Sequence, residues 1–98
     1  MFLYVVQCTF EDPDVAAEWL DWLRVEHVQD VVDAGAIEGR IWRLDGPTLT
    51  YQIHYQFPSR EAFQIYESEH APRLREEGLR RFPLELGLKY ERVTAEAS

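Results

Sequence analysis

The chain has almost no cysteine. Cys8 is alone among 98 residues, which excludes an intrachain disulfide and suits a reducing compartment. Positive charge is also scarce, since 10 basic against 18 acidic side chains leave a formal charge of −8 that repels phosphate backbones and anionic lipid. Nucleic acid and the membrane are therefore not expected partners. The opening MFLYVVQCTFEDPD has no basic leader region and soon reaches an acidic turn, so it reads as neither a signal peptide nor a membrane span. A cytoplasmic location is the expectation. Missing too are a glycine-rich phosphate loop, a GxSxG elbow and a CxxC pair, and nucleotide or acyl-enzyme chemistry has no foothold without them.

What is present is a globular composition, 46% hydrophobic and 29% charged, at a length that suits one domain over residues 1–98. So short a chain covers its own apolar surface incompletely, and oligomerisation is expected.

The pattern strand, helix, strand occurs twice. Residues 2–10 alternate Phe2, Tyr4, Val6, Cys8 and Phe10 with Leu3, Val5, Gln7 and Thr9, the period of a strand with two usable faces. Asp12-Pro13 then opens a helix running to about Ala34 and closed by Gly35. At about 100° per residue its stripe is Ala16, Leu20, Leu23, His27, Val31 and Ala34, with Val15, Trp19, Trp22 and Glu26 on a second shoulder. Residues 36–45 read as a second strand, and Asp45-Gly46-Pro47 turns into a third, TLTYQIHYQF. There Leu49, Tyr51, Ile53, Tyr55 and Phe57 face the core.

Pro58-Ser59 starts a second helix with Ala62, Phe63, Tyr66, His70 and Leu74 inward. Pro72 predicts a kink or a fresh helical start near Ala71. The charged run RLREEGLRRF comes next, with Glu76–Arg80 and Glu77–Arg81 pairs on its exposed side. Arg73, Arg75, Arg80 and Arg81 read there as a solvated, salt-bridged face. Residues 84–92 read as the last strand, with Leu84, Leu86, Leu88 and Tyr90 inward, and Thr94–Ser98 as a frayed tail. The predicted fold is α+β and ferredoxin-like: βαββαβ, with a four-stranded antiparallel sheet carrying two helices on one face. Leu3, Val5, Trp42 and Leu44 are too apolar for the open face, so a homodimer through His54, Gln52 and Trp42 is expected.

Chemistry has few places to sit. His27 and His70, each preceded by glutamate, lie on inward helix faces, and His70 has the more suggestive surroundings because the proline break frees backbone groups there. Beside Tyr51 and Tyr55 these histidines are the candidate proton-transfer groups. Trp19, Trp22, Tyr4 and Tyr66 are the candidate ligand walls. The plainer reading makes both histidines interior residues bonded to tyrosine or backbone. No HxxxH spacing exists, and Glu26 points away from its neighbour His27, so no metal site is expected, and no cofactor. The Val15, Trp19, Trp22 shoulder could instead serve as a contact surface for a partner.

The stretches WLDWLRVEHVQDVVDAG, YQIHYQF and YESEHAPRLREEGLRRF resemble a bacterial domain-of-unknown-function family, number four-two-eight-six, within the dimeric α/β-barrel group. The resemblance implies the barrel-type dimer and carries no established activity. The wider group includes cofactor-free monooxygenases, haem-degrading enzymes, dehydratases and binding proteins. Its oxygenases and haem-degrading enzymes typically use an asparagine, which this chain lacks entirely; Gln7 could supply an amide, but from the face away from the helices. The expected function is a homodimer binding a small, partly apolar ligand or a protein partner. The alternative is a cofactor-free oxygenase, isomerase or lyase acting on an aromatic or carbonyl compound in a helix–sheet cleft.

Overall fold

A computed structural model describes all 98 residues. In chain order it has β1 (Phe2–Phe10), α1 (Pro13–Trp22), a π-helical turn (Leu23–His27), α2 (Val28–Asp33) and β2 (Glu38–Arg43). Then come β3 (Leu49–Phe57), α3 (Arg60–Glu69), α4 (Ala71–Arg81), a 3-10 turn (Leu84–Leu86) and β4 (Leu88–Glu96). The sheet order is β2-β3-β1-β4 with every pair antiparallel, which is the ferredoxin-like arrangement.

Alternation builds the core directly. Phe2, Tyr4, Val6, Cys8 and Phe10 pair across the ladder with Phe57, Tyr55, Ile53, Tyr51 and Leu49, so the two central strands present one continuous apolar face to the helices. Phe2, Cys8, Ile53, Tyr55 and Phe57 are buried there, each large aliphatic or aromatic side chain contributing roughly 1.5–3 kcal/mol by leaving water. Local signals set the helix starts. The Asp12 carboxylate accepts from the Asp14 N–H at 2.8 Å, and the Ser59 hydroxyl accepts from the Ala62 N–H at 3.1 Å, each satisfying a donor that the first helical turn leaves free.

The helical rods number three, not the two expected. α1, the π turn and α2 run on as one rod, while α3 stops at Glu69 and α4 begins at Ala71 with Pro72 in its first turn. A proline is tolerated there because its missing N–H would be unpaired anyway. The extra rod changes what is exposed. α4 crosses α1 so closely that a Cβ on Gly78 would stand 3.2 Å from the Trp22 ring, and Phe82 packs on the same ring at 5.6 Å between centroids. Trp19 and Trp22 are thus 1% and 7% exposed, so the expected tryptophan contact surface is closed.

The π turn is a second departure. Its Val28 N–H bonds the Leu23 carbonyl, five residues back, and the wider turn re-aims the side chains beyond it. Residues five apart on an α-helix point about 140° away from each other at 3.6 residues per turn. Here the His27 ring stacks on Trp22 with centroids 4.3 Å apart and planes at 20°.

The last strand is displaced toward the C-terminus. Gly87 sits at φ 91°, in the left-handed region that favours glycine, and it separates the 3-10 turn from β4. Leu84 and Leu86 are 54% and 43% exposed, not inward. Every residue of β1 finds a partner in Leu88–Glu96, so Thr94–Glu96, expected to fray, complete the ladder. The shorter β2 still pairs Trp42 with Gln52 and Arg40 with His54. That puts Trp42, Gln52 and His54 together on the sheet face opposite the helices.

That face carries a connected polar ladder. Thr48 and Thr9 both bond Thr50, at 2.9 and 3.1 Å, while His54 bonds Gln52 at 2.9 Å and Gln52 donates to Gln7 at 2.8 Å. Around it Trp42 and Val93 are 51% and 60% exposed. No helix is long and apolar enough to cross a membrane.

Candidate functional site

Between the first helical rod, α4 and the sheet lies a cavity of about 50 Å³. Trp19, Trp22, Leu23 and His27 come from the first rod, Leu74, Arg75, Gly78 and Leu79 from α4, and Tyr66 from α3. The sheet supplies Tyr4, Val6, Ile53, Tyr55, Tyr90 and Arg92. Each arrives by its element's own period. Tyr4 and Val6 are on the inward parity of β1, Tyr55 and Ile53 oppose them on β3, and Arg92 opposes Val6 on β4. Leu74, Arg75, Gly78 and Leu79 form one stripe of α4, spaced by three and four.

Three polar groups on this wall are buried without a partner: Trp22 Nε1, the Tyr55 hydroxyl and Arg75 Nε. An unmade hydrogen bond of this kind costs about 1–3 kcal/mol, and buried polar groups are ordinarily paired. Other groups nearby are satisfied. Trp19 Nε1 donates to the Tyr90 hydroxyl at 3.0 Å, and the other end of the Arg75 guanidinium donates to the Tyr4 hydroxyl at 3.0 Å and to Glu67 at 3.0–3.2 Å.

Burial sets the protonation states. Loss of water holds Tyr55 and Tyr66 well above the ordinary phenol range, with the neighbouring Tyr66 and Tyr4 hydroxyls respectively adding to the shift, and pushes Tyr90 up to about 12. All three keep their protons at neutral pH. The same desolvation lowers His27 from 6.5 to about 4, with Asp30 opposing and Arg92 reinforcing the shift. The imidazole is therefore neutral and can both donate and accept. Cys8 is pushed up to about 12 by burial, so it is an unreactive thiol of the core.

Of the four candidate proton-transfer residues, His27 and Tyr55 meet at the cavity. His70 does not. It is the joint between α3 and α4, half-buried, with its Nδ1 3.4 Å from the Arg73 guanidinium. Tyr51 packs against Phe10 and Trp19, outside the cavity lining. All four candidate wall residues, Trp19, Trp22, Tyr4 and Tyr66, line it. Tyr90 is inward as read from the sequence, whereas Arg75 and Arg92 are cavity residues that the sequence does not single out. Arg75 is hidden within a charged helical run, and Arg92, although it shares the parity of Leu88 and Tyr90, is a charged residue that does not read as part of an apolar inward set. No group of three or more His, Cys, Asp or Glu side chains is placed to hold a metal ion.

The fold defines a ferredoxin-like α+β protein, and solved structures share it. A dimeric ferredoxin-like protein from an uncultured marine organism superposes with TM-score 0.71 at 19% identity, covering 99% of this chain and 94% of its own. HapK from Hahella chejuensis gives TM-score 0.69 at 14% identity over 100% and 93%. The monooxygenase ActVA-Orf6 of Streptomyces coelicolor, solved with Nanaomycin D, gives 0.67 at 14% over 99% and 88%. Identities this low carry the fold alone. No curated protein matches the chain. Its family is plain: the chain belongs to the domain of unknown function DUF4286, whose model matches residues 1–91.

Proposed function

We propose that this protein is a cytoplasmic homodimer that binds a small, partly apolar ligand in the cleft between the helices and the sheet. One observation carries the ligand half of this reading. Three buried polar groups without partners line a single aromatic cavity, where a ligand with hydrogen-bonding atoms would recover bonds that the fold leaves unmade. The dimer half is supported by the sheet face opposite the helices. Its polar ladder is already paired within the chain, so covering it leaves few new unpaired groups, while burying Trp42 and Val93 is favourable.

Thermal shift against a panel of small aromatic ketones and acids tests the ligand, since a ligand stabilises the state it binds. Compounds that raise the melting temperature of the wild type should lose part of that effect in Tyr55→Phe and Trp22→Phe. A flat response across the panel would remove the ligand reading. Sedimentation tests the dimer, and a monomer at micromolar concentration would leave the open face to a different protein partner.

A second reading is catalysis on an aromatic or carbonyl compound, as an oxygenase, isomerase or lyase. The observation in its favour is the neutral His27 stacked on Trp22 beside the cavity, with monooxygenases among proteins of the same fold. Against proton abstraction stands the value of about 4, which makes the ring a weak base at neutral pH. Turnover of any stabilising compound under air, lost in His27→Ala, would establish this reading.

A further inference from the structure

We infer that the cleft is a receptor for a single-ring aromatic oxyanion, an aryl carboxylate in the first instance, whose oxygens are taken up by Trp22 Nε1–H, Arg75 Nε–H and the Tyr55 hydroxyl. It rests on the ligand-binding reading above and adds the charge of the ligand.

Donor chemistry points this way first. Indole and guanidinium nitrogens donate and cannot accept, so two of the three unpartnered buried groups on this wall require an acceptor, and the phenol can supply a third donor. No aspartate or glutamate lies among the lining residues, although the chain has 18 acidic side chains. The missing acceptor is therefore not supplied by the protein at this wall.

Charge is the second, independent observation. Arg75 is ion-paired with Glu67 at 3.0 Å, so that pair brings no net charge. Arg92 forms no ion pair with any carboxylate and lies over the Tyr90 ring at 5.1 Å, at the edge of the cavity it lines. One uncompensated positive charge at a donor-rich wall matches one negative charge on a ligand, within a molecule whose formal charge of −8 repels anions elsewhere. A charged carboxylate oxygen also makes a stronger bond to the one free Nε–H of Arg75 than a neutral carbonyl oxygen does.

Size limits the occupant to one ring. About 50 Å³ is below the roughly 150 Å³ of an engineered cavity that holds benzene, so a ring must displace part of the wall. Leu79, 46% exposed, and the exposed Arg92 are the lining residues free to swing outward.

Isothermal titration with benzoate and with acetophenone, the neutral ketone of similar shape, tests the inference on the full chain. Benzoate should bind the wild type at least about tenfold more tightly, the scale of a charge-assisted over a neutral hydrogen bond. Arg92→Gln, a change at an exposed side chain that leaves the core intact, should narrow that preference to about threefold or less, and Arg75→Gln should narrow it further. Equal affinity for the two probes would overturn the oxyanion inference and leave the ligand cleft standing. A benzoate preference unchanged in both arginine variants would place the anion elsewhere and overturn it as well. Failure of both probes to bind would remove the cleft reading along with it.

Discussion

The two faces of the one sheet solve the problem of buried polarity in opposite ways. Toward the helices, nearly everything is apolar and close-packed, yet three polar groups at the cavity have no partner. Away from the helices, polar side chains are dense, yet they bond one another in a ladder from Thr48 through Thr50 to Thr9 and from His54 through Gln52 to Gln7. Unmade hydrogen bonds leave a cost that a bound molecule would offset; made ones leave a surface that can be covered at little cost. The apolar residues invert the picture. They are sealed on the helix side and left exposed, as Trp42 and Val93, on the other.

The contrast breaks most visibly if the helix side is not a single rigid core. Phe57→Ala removes a fully buried ring that packs on Phe63 and Tyr66 and should cost about 3–5 kcal/mol in urea unfolding. A loss below about 1 kcal/mol would mean that the aromatic cluster is loosely packed.

Acid should come next. In the unfolded chain the His27 ring takes a proton near 6.5, whereas in the fold it does so only near 4. Between those values the unfolded state holds a proton that the folded state lacks. The contribution of His27 to stability is therefore intact above about pH 6.5, falls as pH drops toward 4, and levels off below that. The full swing is up to about 3 kcal/mol at about 1.4 kcal/mol per pH unit. Comparing wild type with His27→Gln at about pH 7.5 and about pH 4.5 isolates it from the carboxylates, and equal acid losses in the two proteins would show that the ring is solvated.

On the other face, Trp42→Ala should weaken the proposed dimer at least about tenfold, the scale of a central interface tryptophan. The unfolding energy of the monomer should change by less than about 1 kcal/mol, because the side chain is half exposed already. Parallel losses in both would make Trp42 a folding residue. The smallest effect sharpens the contrast most. Tyr55→Phe removes a buried hydroxyl with no partner, so stability should stay within about 1 kcal/mol of wild type or rise. A loss of about 2 kcal/mol would show that the hydroxyl has a bound partner in solution.

Much of this arrangement is legible in the residues, and the misses have physical causes. The inward sets of β1 and β3 come from period-two alternation, and the helix starts come from Asp12-Pro13 and Ser59. The four aromatic wall residues emerge as a group, because aromatics on inward parity have nowhere else to go. The site's polar half is harder to see. Arg75 looks like one more member of a charged helix, and only the fold reveals that its Nε is inside while its Nη2 reaches Tyr4 and Glu67. His70 looks better placed than His27 because a proline break suggests an opening. Instead the break lets α4 restart as a separate rod, with His70 left at the joint.

By itself the sequence determined the element order, the two-faced strands and the break at Pro72, since each depends on the period or backbone chemistry of neighbouring residues. Tertiary structure decided what depends on contact between distant segments. β4 runs to Glu96 because β1 offers nine residues to pair with, and Trp22 is buried because Gly78, 56 positions along the chain, lets α4 approach. The π turn carries no local signature, yet it stacks His27 on Trp22 and brings both to the cavity. Alternation and capping are local free energies written into adjacent residues; a cavity is the space that several elements fail to fill together.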